Sequence, residues 1–156
     1  MGQGLPGGAE GEEALIALDT NLLAYAFNVD ESRHTTARAL VMGLAQGQRP
    51  WGVPWPCVLE FLNTVTGSRY PRPASTALAF EFLGRLTASP SFRLLLPTED
   101  TSRVLREVLA ESEVRGSDVH DAHIFALCLE HGVRELLTAD KGFRRFRGLK
   151  VRDPFR

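Results

Sequence analysis

The sequence predicts an α/β domain built on a mostly parallel sheet. Two observations carry that prediction. Short apolar runs alternate along the chain with longer segments of helical periodicity, the pattern of strands joined by crossover helices. Acidic residues, Asp19 and Asp140, stand directly behind two of those runs. In parallel sheets, sites form at the carboxyl ends of strands.

The elements follow in order. Residues 1–13 are glycine-rich and aperiodic and are expected to form a flexible tail. A single domain is expected over residues 14–156. Ala14 to Leu18 is a short apolar run, expected as a buried strand ending at Asp19. Thr20 to Phe27 reads as a helix starting at once. His34 to Gln46 reads as a second helix, with Ser32 or Thr35 available to cap it. Trp51 to Pro54 is a short strand, and Pro56 suits the first turn of a helix over Cys57 to Thr66. Pro71 and Pro73 mark a loop. Thr76 to Thr87 is helical, with Leu78, Phe82, Leu83 and Leu86 along one side. Phe92 to Leu96 is solidly apolar except for Arg93 and is expected as a buried strand. Thr101 to Glu113 is an amphipathic helix carrying Val104, Leu105, Val108 and Leu109. Asp118 to His131 is a helix closed by Gly132, with Ala122, Phe125, Ala126 and Leu129 as its buried stripe. Glu135 to Ala139 is a strand leading to Asp140, and Lys150 to Arg152 is a final edge strand.

Composition sets outer bounds. A chain of 156 residues fits one domain with a real core. Hydrophobic residues at 44% and charged residues at 24% are ordinary for a globular protein. No apolar run is long enough to span a bilayer, and no secretory h-region follows the first methionine. The cytoplasm is the expected compartment. Cys57 and Cys128 show no metal-ligand spacing and read as small buried apolar residues. A net charge of −1 gives no global basic field for nucleic acid. Of the 18 basic residues only Lys141 and Lys150 are lysine. Arginine suits bidentate phosphate or carboxylate contacts.

The chemistry rests on four carboxylates, Asp19, Glu60, Asp121 and Asp140. Each stands beside apolar residues expected to be buried, where a charge is costly unless compensated. Converging, they would repel each other, and a divalent cation resolves that conflict. Hard oxygen ligands suit Mg²⁺ or Mn²⁺, which points to metal-assisted phosphodiester chemistry. Each acid also has an ordinary reading. Asp19 can cap a helix, Glu60 can lie on a surface, Asp121 can answer a helix dipole, and Asp140 can sit in a turn. Asp118 is the natural N-cap of its helix, leaving Asp121 for the site. No histidine pair has metal spacing. Phosphate loops, dinucleotide fingerprints and nucleophile elbows are absent from the sequence.

At these residues the chain resembles the PIN-domain ribonucleases, and among them the VapC toxins of bacterial toxin–antitoxin pairs. Leu-Asp-Thr-Asn at 18–21 looks like the family's opening motif, and Glu60 in Val-Leu-Glu-Phe-Leu-Asn its second acid. Residues 119–132 are similar to the third motif, with Asp121 as the acid. Residues 136–143 resemble the closing motif around Asp140. Asp118 is one acid more than the pattern needs. The resemblance implies a single PIN domain and metal-dependent RNA cleavage, with Asp19, Glu60, Asp121 and Asp140 holding Mg²⁺ or Mn²⁺. It also implies a cognate VapB-type antitoxin and a homodimer.

Around that site, Thr20, Asn21, Asp118 and Thr138 are expected in supporting roles. Arg144 and Arg145, in the basic segment after Asp140, are expected to guide RNA phosphates. Residues 35–46 and the helix 57–66 are expected to flank a groove for the antitoxin. Two competing readings remain. One is a PIN-like domain without catalysis, serving as an interaction module. The other is a receiver-like Mg²⁺-binding domain, for which Asp19 lacks the usual acidic companion.

Overall fold

The computed structural model describes residues 14–156. The tail expected over residues 1–13 lies outside the described residues. Five strands form one parallel sheet in the order β3-β2-β1-β4-β5. They are β1 (Ile16–Leu18), β2 (Trp51–Pro54), β3 (Phe92–Leu95), β4 (Glu135–Leu137) and β5 (Lys150–Arg152). Six helices flank them: α1 (Thr20–Phe27), α2 (His34–Gln46), α3 (Trp55–Thr66), α4 (Thr76–Thr87), α5 (Thr101–Ser112) and α6 (Val119–Glu130). The strand order reverses direction between β1 and β4. Such a switch point opens a crevice at the carboxyl ends of the strands.

The central strands are covered on both faces. β1 and β2 are buried at every position, as parallel strands under helices must be. Gly52 pairs with Arg93 in the β2–β3 register. A Cβ at Gly52 would lie 2.6 Å from the Arg93 carbonyl oxygen. Gly52→Ala is therefore expected to destabilise the fold by about 1–3 kcal/mol, the usual range for overpacking. A lower urea midpoint is the readout, and an unchanged midpoint would count against this register.

Several local expectations change. The first strand begins at Ile16 rather than Ala14. The third helix begins earlier, at Trp55, with Pro56 in its first turn. β3 is not a buried strand: only Leu95 is buried, because β3 lies at the sheet edge beyond β2. Neither Ser32 nor Thr35 caps α2. Its start is a turn in which the His34 N–H donates to the Glu31 carbonyl at 2.9 Å, while Ser32 bonds the Glu31 side chain. On α4 the buried residues are Ala79, Leu83 and Leu86, and Leu78 is half exposed.

α6 is buried nearly all round, at Ala122, Ile124, Phe125, Ala126, Leu127 and Cys128. It packs against α5 and reaches the sheet at β2. A helix enclosed in this way loses the single stripe that marks a surface helix. Its end is as the sequence predicts. Gly132 adopts φ 71°, and the Val133 N–H returns to the Cys128 carbonyl at 2.9 Å, which satisfies a helix-end acceptor. Among the described residues, no helix is long and apolar enough to cross a membrane.

Candidate active site

The site is assembled by the register of β1 and β4. Leu18 pairs with Leu137, so the residues that follow, Asp19 and Thr138, are brought side by side. The Asp19 N–H extends the ladder by donating to the Leu137 carbonyl at 3.0 Å. Asp19 then leaves the sheet in an extended conformation and caps α1, accepting from the Thr20 N–H at 2.7 Å. The cap and site readings of Asp19 are thus compatible: one oxygen anchors the helix and the other faces β4.

That second oxygen accepts from the Thr138 hydroxyl at 2.7 Å and from the Asn21 amide at 3.3 Å. Asn21 also accepts from the Ala139 N–H at 3.2 Å. Thr138 accepts from the Asp140 N–H at 3.0 Å. A closed network therefore ties α1 to the loop carrying Asp140. Asp19 is 5% exposed and Thr138 1%. Burial pushes the Asp19 carboxyl up to about 6, and the Glu60 charge adds to the rise. The bonds from Thr138, Thr20 and Cys57 oppose it.

Glu60 arrives from the neighbouring crossover. Phe61 is fully buried, edge-on to Phe27 and stacked on Phe82. That packing fixes the rotation of α3 and turns Glu60 outward toward α1. The Thr20 hydroxyl donates to Glu60 Oε2 at 2.7 Å. Glu60 and Asp140 are exposed, so of the four acids only Asp19 is a buried carboxylate. The expectation of four acids pressed against the core is corrected. The reason is that α3 and the loop after β4 form the rim of the crevice, where water reaches.

Asp121 and Asp140 approach each other across Gly142. The Gly142 N–H donates to Asp140 Oδ1 at 2.8 Å. A Cβ at Gly142 would lie 3.1 Å from that oxygen and 3.7 Å from Asp121 Oδ2. Glycine there leaves room for both carboxylates. Burial raises the Asp121 carboxyl, and the Asp140 charge raises it further, while Arg145 lowers it. Asp19 and Glu60 form one pair and Asp121 and Asp140 a second, and the Glu60 charge raises the carboxyls of both Asp19 and Asp121.

Three placements differ from the sequence reading. Asp118 stands at the N-cap position of α6, yet its side chain makes no cap bond. Its backbone, at φ −69° and ψ −13°, is already helical after the short 3₁₀ turn Gly116–Asp118, whereas a capping residue needs an extended conformation. The Asp118 carboxylate instead pairs with Arg145 at 3.1 Å. Arg145 also donates to Asp121 Oδ2 at 3.1 Å, so its guanidinium is engaged by two acids rather than free for phosphate. Cys57, read only as a buried apolar residue, touches Asp19 Oδ1 at 3.5 Å. Its spacing in the sequence carries no such signal.

The donor set fits a hard divalent cation. Asp19, Cys57 and Glu60 each offer an atom within 4.8 Å of one another. Burial pushes the Cys57 thiol up well above its ordinary value, so it stands as a neutral donor toward Asp19 and not as a thiolate ligand. That leaves carboxylate oxygens, which suit Mg²⁺ or Mn²⁺ better than softer ions.

Comparison with known proteins shows the family and the fold. The model of the PIN domain matches residues 16–149. Ribonuclease VapC43 of Mycobacterium tuberculosis is 33% identical over 141 residues, covering 90% of this chain and 95% of that protein. Two solved structures share the fold. VapBC2 from Rickettsia felis, bound to a DNA fragment from its promoter, has a TM-score of 0.64 at 17% identity, covering 88% of this chain and 97% of that one. VapC20 of Mycobacterium tuberculosis, described as a toxin that cleaves the sarcin-ricin loop, has a TM-score of 0.62 at 19% identity, covering 83% and 92%.

Proposed function

The chain belongs to the PIN-domain family, alongside the VapC ribonucleases, and from that premise we propose that it is a divalent-metal-dependent endoribonuclease acting as the toxin of a VapBC-type pair. One observation supports this most directly. Asp19 and Glu60 are joined through Thr20, and the loop carrying Asp140, which faces Asp121 across Gly142, is tied to Asp19 through Thr138. The match to the PIN domain does not favour the receiver-like reading.

In this proposal Asp19, Glu60, Asp121 and Asp140 hold Mg²⁺ or Mn²⁺. When bound, the metal supplies Lewis-acid polarisation of a phosphoryl oxygen and acidifies water. The chain's own residues do the positioning. Thr138 and Asn21 hold the inner oxygen of Asp19, and Thr20 holds Glu60. The Asp140 loop is held through its N–H on Thr138. The expected products carry a 5′-phosphate and a 3′-hydroxyl. Arg144, exposed beside the site, is assigned to RNA phosphates. A phosphate calling on Arg145 would compete with two carboxylates.

A VapB-type antitoxin and a second copy of the chain are the proposed protein partners. We assign the antitoxin to a different surface from the groove expected between residues 35–46 and α3. α2 buries Ala37 and Val41 and packs on α1, whereas α3 packs on α1 and α4. The open apolar surface lies between α3, α4 and β3 instead. Trp55, Phe80 and Leu94 are exposed there and line a cavity of about 260 Å³. Contiguous exposed apolar surface of this kind marks protein contact.

Incubation of the purified protein with a mixed RNA pool tests the reading. Cleavage is expected with Mn²⁺ or Mg²⁺ and is expected to stop in EDTA. Asp121→Asn is expected to lower the rate on the order of 10²–10³-fold, the size of a lost electrostatic contribution at the reacting centre. Cleavage that persists in EDTA, or equally in the variant, would sink the metal mechanism. Intact RNA under every condition would favour a non-catalytic binding module.

A further inference from the structure

We propose that Arg145 is a tethered counter-cation of the acidic site, which a divalent ion must displace from Asp121, and that Asp118 is the dock that retains it. This rests on the metal-site reading above.

The geometry is that of a fork. Arg145 Nη2 lies 3.1 Å from Asp121 Oδ2, and Nη1 lies 3.1 Å from Asp118 Oδ2. A planar guanidinium can serve two carboxylates at once, which an ammonium does poorly. The side chain is also seated from below. Its guanidinium carbon lies 5.1 Å from the centre of the Phe146 ring. Phe146 is itself buried against Phe125 of α6, ring centres 5.1 Å apart. Arg145 is thereby fixed to the same helix that carries Asp121.

The contested atom is Asp121 Oδ2. It faces Arg145 and is also the oxygen nearest the Gly142 gap, beyond which Asp140 stands. A cation held jointly by Asp121 and Asp140 would draw on that oxygen and repel the guanidinium. Asp118, 51% exposed and not used as a helix cap, gives the displaced charge a second partner. The extra acid and the engaged arginine then have one explanation. They compensate Asp121 while no metal is bound and set how much metal is needed to load the site.

Binding of Mn²⁺ to the purified full chain, read from the free-ion signal in electron paramagnetic resonance, tests this without any RNA. Arg145→Gln is expected to tighten Mn²⁺ binding about fivefold, the upper size of an exposed ion pair. Arg147→Gln, which removes a nearby charge that is not in the fork, is expected to change it less than about twofold by screened interaction alone. Asp118→Asn, which leaves Arg145 only Asp121, is expected to weaken it. Arg145→Lys, which keeps the charge and loses the fork, is expected to fall between wild type and Arg145→Gln, and it carries the test if Arg145→Gln folds poorly. Wild-type binding with no tightening in Arg145→Gln beyond that in Arg147→Gln overturns the inference and spares the metal site. No Mn²⁺ binding by any variant overturns both. Binding by Arg145→Gln alone would support the inference in its strongest form.

Discussion

Asp19→Asn is expected to abolish cleavage while making the metal-free protein more stable. The loss of activity follows from removing a charged ligand in the centre of the proposed site. Several kcal/mol of transition-state stabilisation corresponds to a rate loss on the order of 10³-fold. The gain in stability follows from burial. The Asp19 carboxyl titrates near 3.8 in an unfolded chain and at about 6 in the folded one. Between those values the folded state holds a proton that the unfolded state has lost. Stability therefore falls as the pH rises from about 4 to about 6, and the cost persists above that window. Its size is about 3 kcal/mol, at 1.36 kcal/mol per pKa unit.

Asparagine removes the charge and keeps an oxygen for the Thr20 N–H. The apo variant is expected to gain about 1–3 kcal/mol at neutral pH and almost nothing at pH near 4, a range set by the same linkage. Urea midpoints in EDTA at the two pH values read this directly. Added Mn²⁺ is expected to stabilise the wild type, because a ligand that binds only the folded state adds stability by mass action, and to leave the variant nearly unmoved. A variant less stable than wild type at neutral pH would show that the carboxylate's hydrogen bonds outweigh its burial.

Thr138→Val is the second large expected effect, a loss of about 10–100-fold in cleavage rate with the fold retained. That range is typical when a group orienting a metal ligand is removed. The Thr138 hydroxyl uses its full capacity, donating once to Asp19 and accepting from Asn21 and from the Asp140 N–H. Valine has the same shape and no hydroxyl. Asp19 Oδ2 would keep only the longer bond from Asn21, and the Asp140 N–H would lose its partner. The expected stability cost is about 1–3 kcal/mol for the unpaired polar groups.

The Thr138 bond also lowers the Asp19 carboxyl, so its loss should move the acidic limb of the pH–rate profile upward. Thr138→Ser keeps the hydroxyl and is expected to restore most of the rate and the wild-type profile. Single-turnover rates across pH for the three proteins make the comparison. A serine variant as slow as the valine variant would mean that the methyl's packing matters and the hydroxyl does not.

The candidate site was legible in uneven degree. Asp19 and Asp140 were visible because a strand end is a local event. An apolar run stops and an acid follows within a residue or a short loop. Asp121 was visible through the motif around it. The partnerships were not. Thr20 meets Glu60 across 40 positions, and Arg145 meets Asp121 across 24. Nothing in the spacing along the chain encodes either contact. Arg145 looked like one more basic residue in a basic segment, and Asp118 looked like a cap. The cap reading failed because a single helical backbone conformation at Asp118 turned its carboxylate toward Arg145.

By itself the sequence determined the alternation of strands and helices, most element boundaries to within a few residues and the closing glycine of α6, and it singled out the four candidate acids. These are short-range matters, set by apolar periodicity, turn chemistry and the backbone freedom of particular residues. Only the tertiary structure decided that Asp19 is the one buried carboxylate of the four, that β3 is an exposed edge, and that the open apolar surface lies between α3 and α4. Each of these depends on strand order and register. The pairing of Leu18 with Leu137 sets Asp19 beside Thr138, and the position of β3 beyond β2 leaves its outer side uncovered. Burial and charge pairing are properties of what lies across the sheet, and a chain read one residue at a time does not state its neighbours.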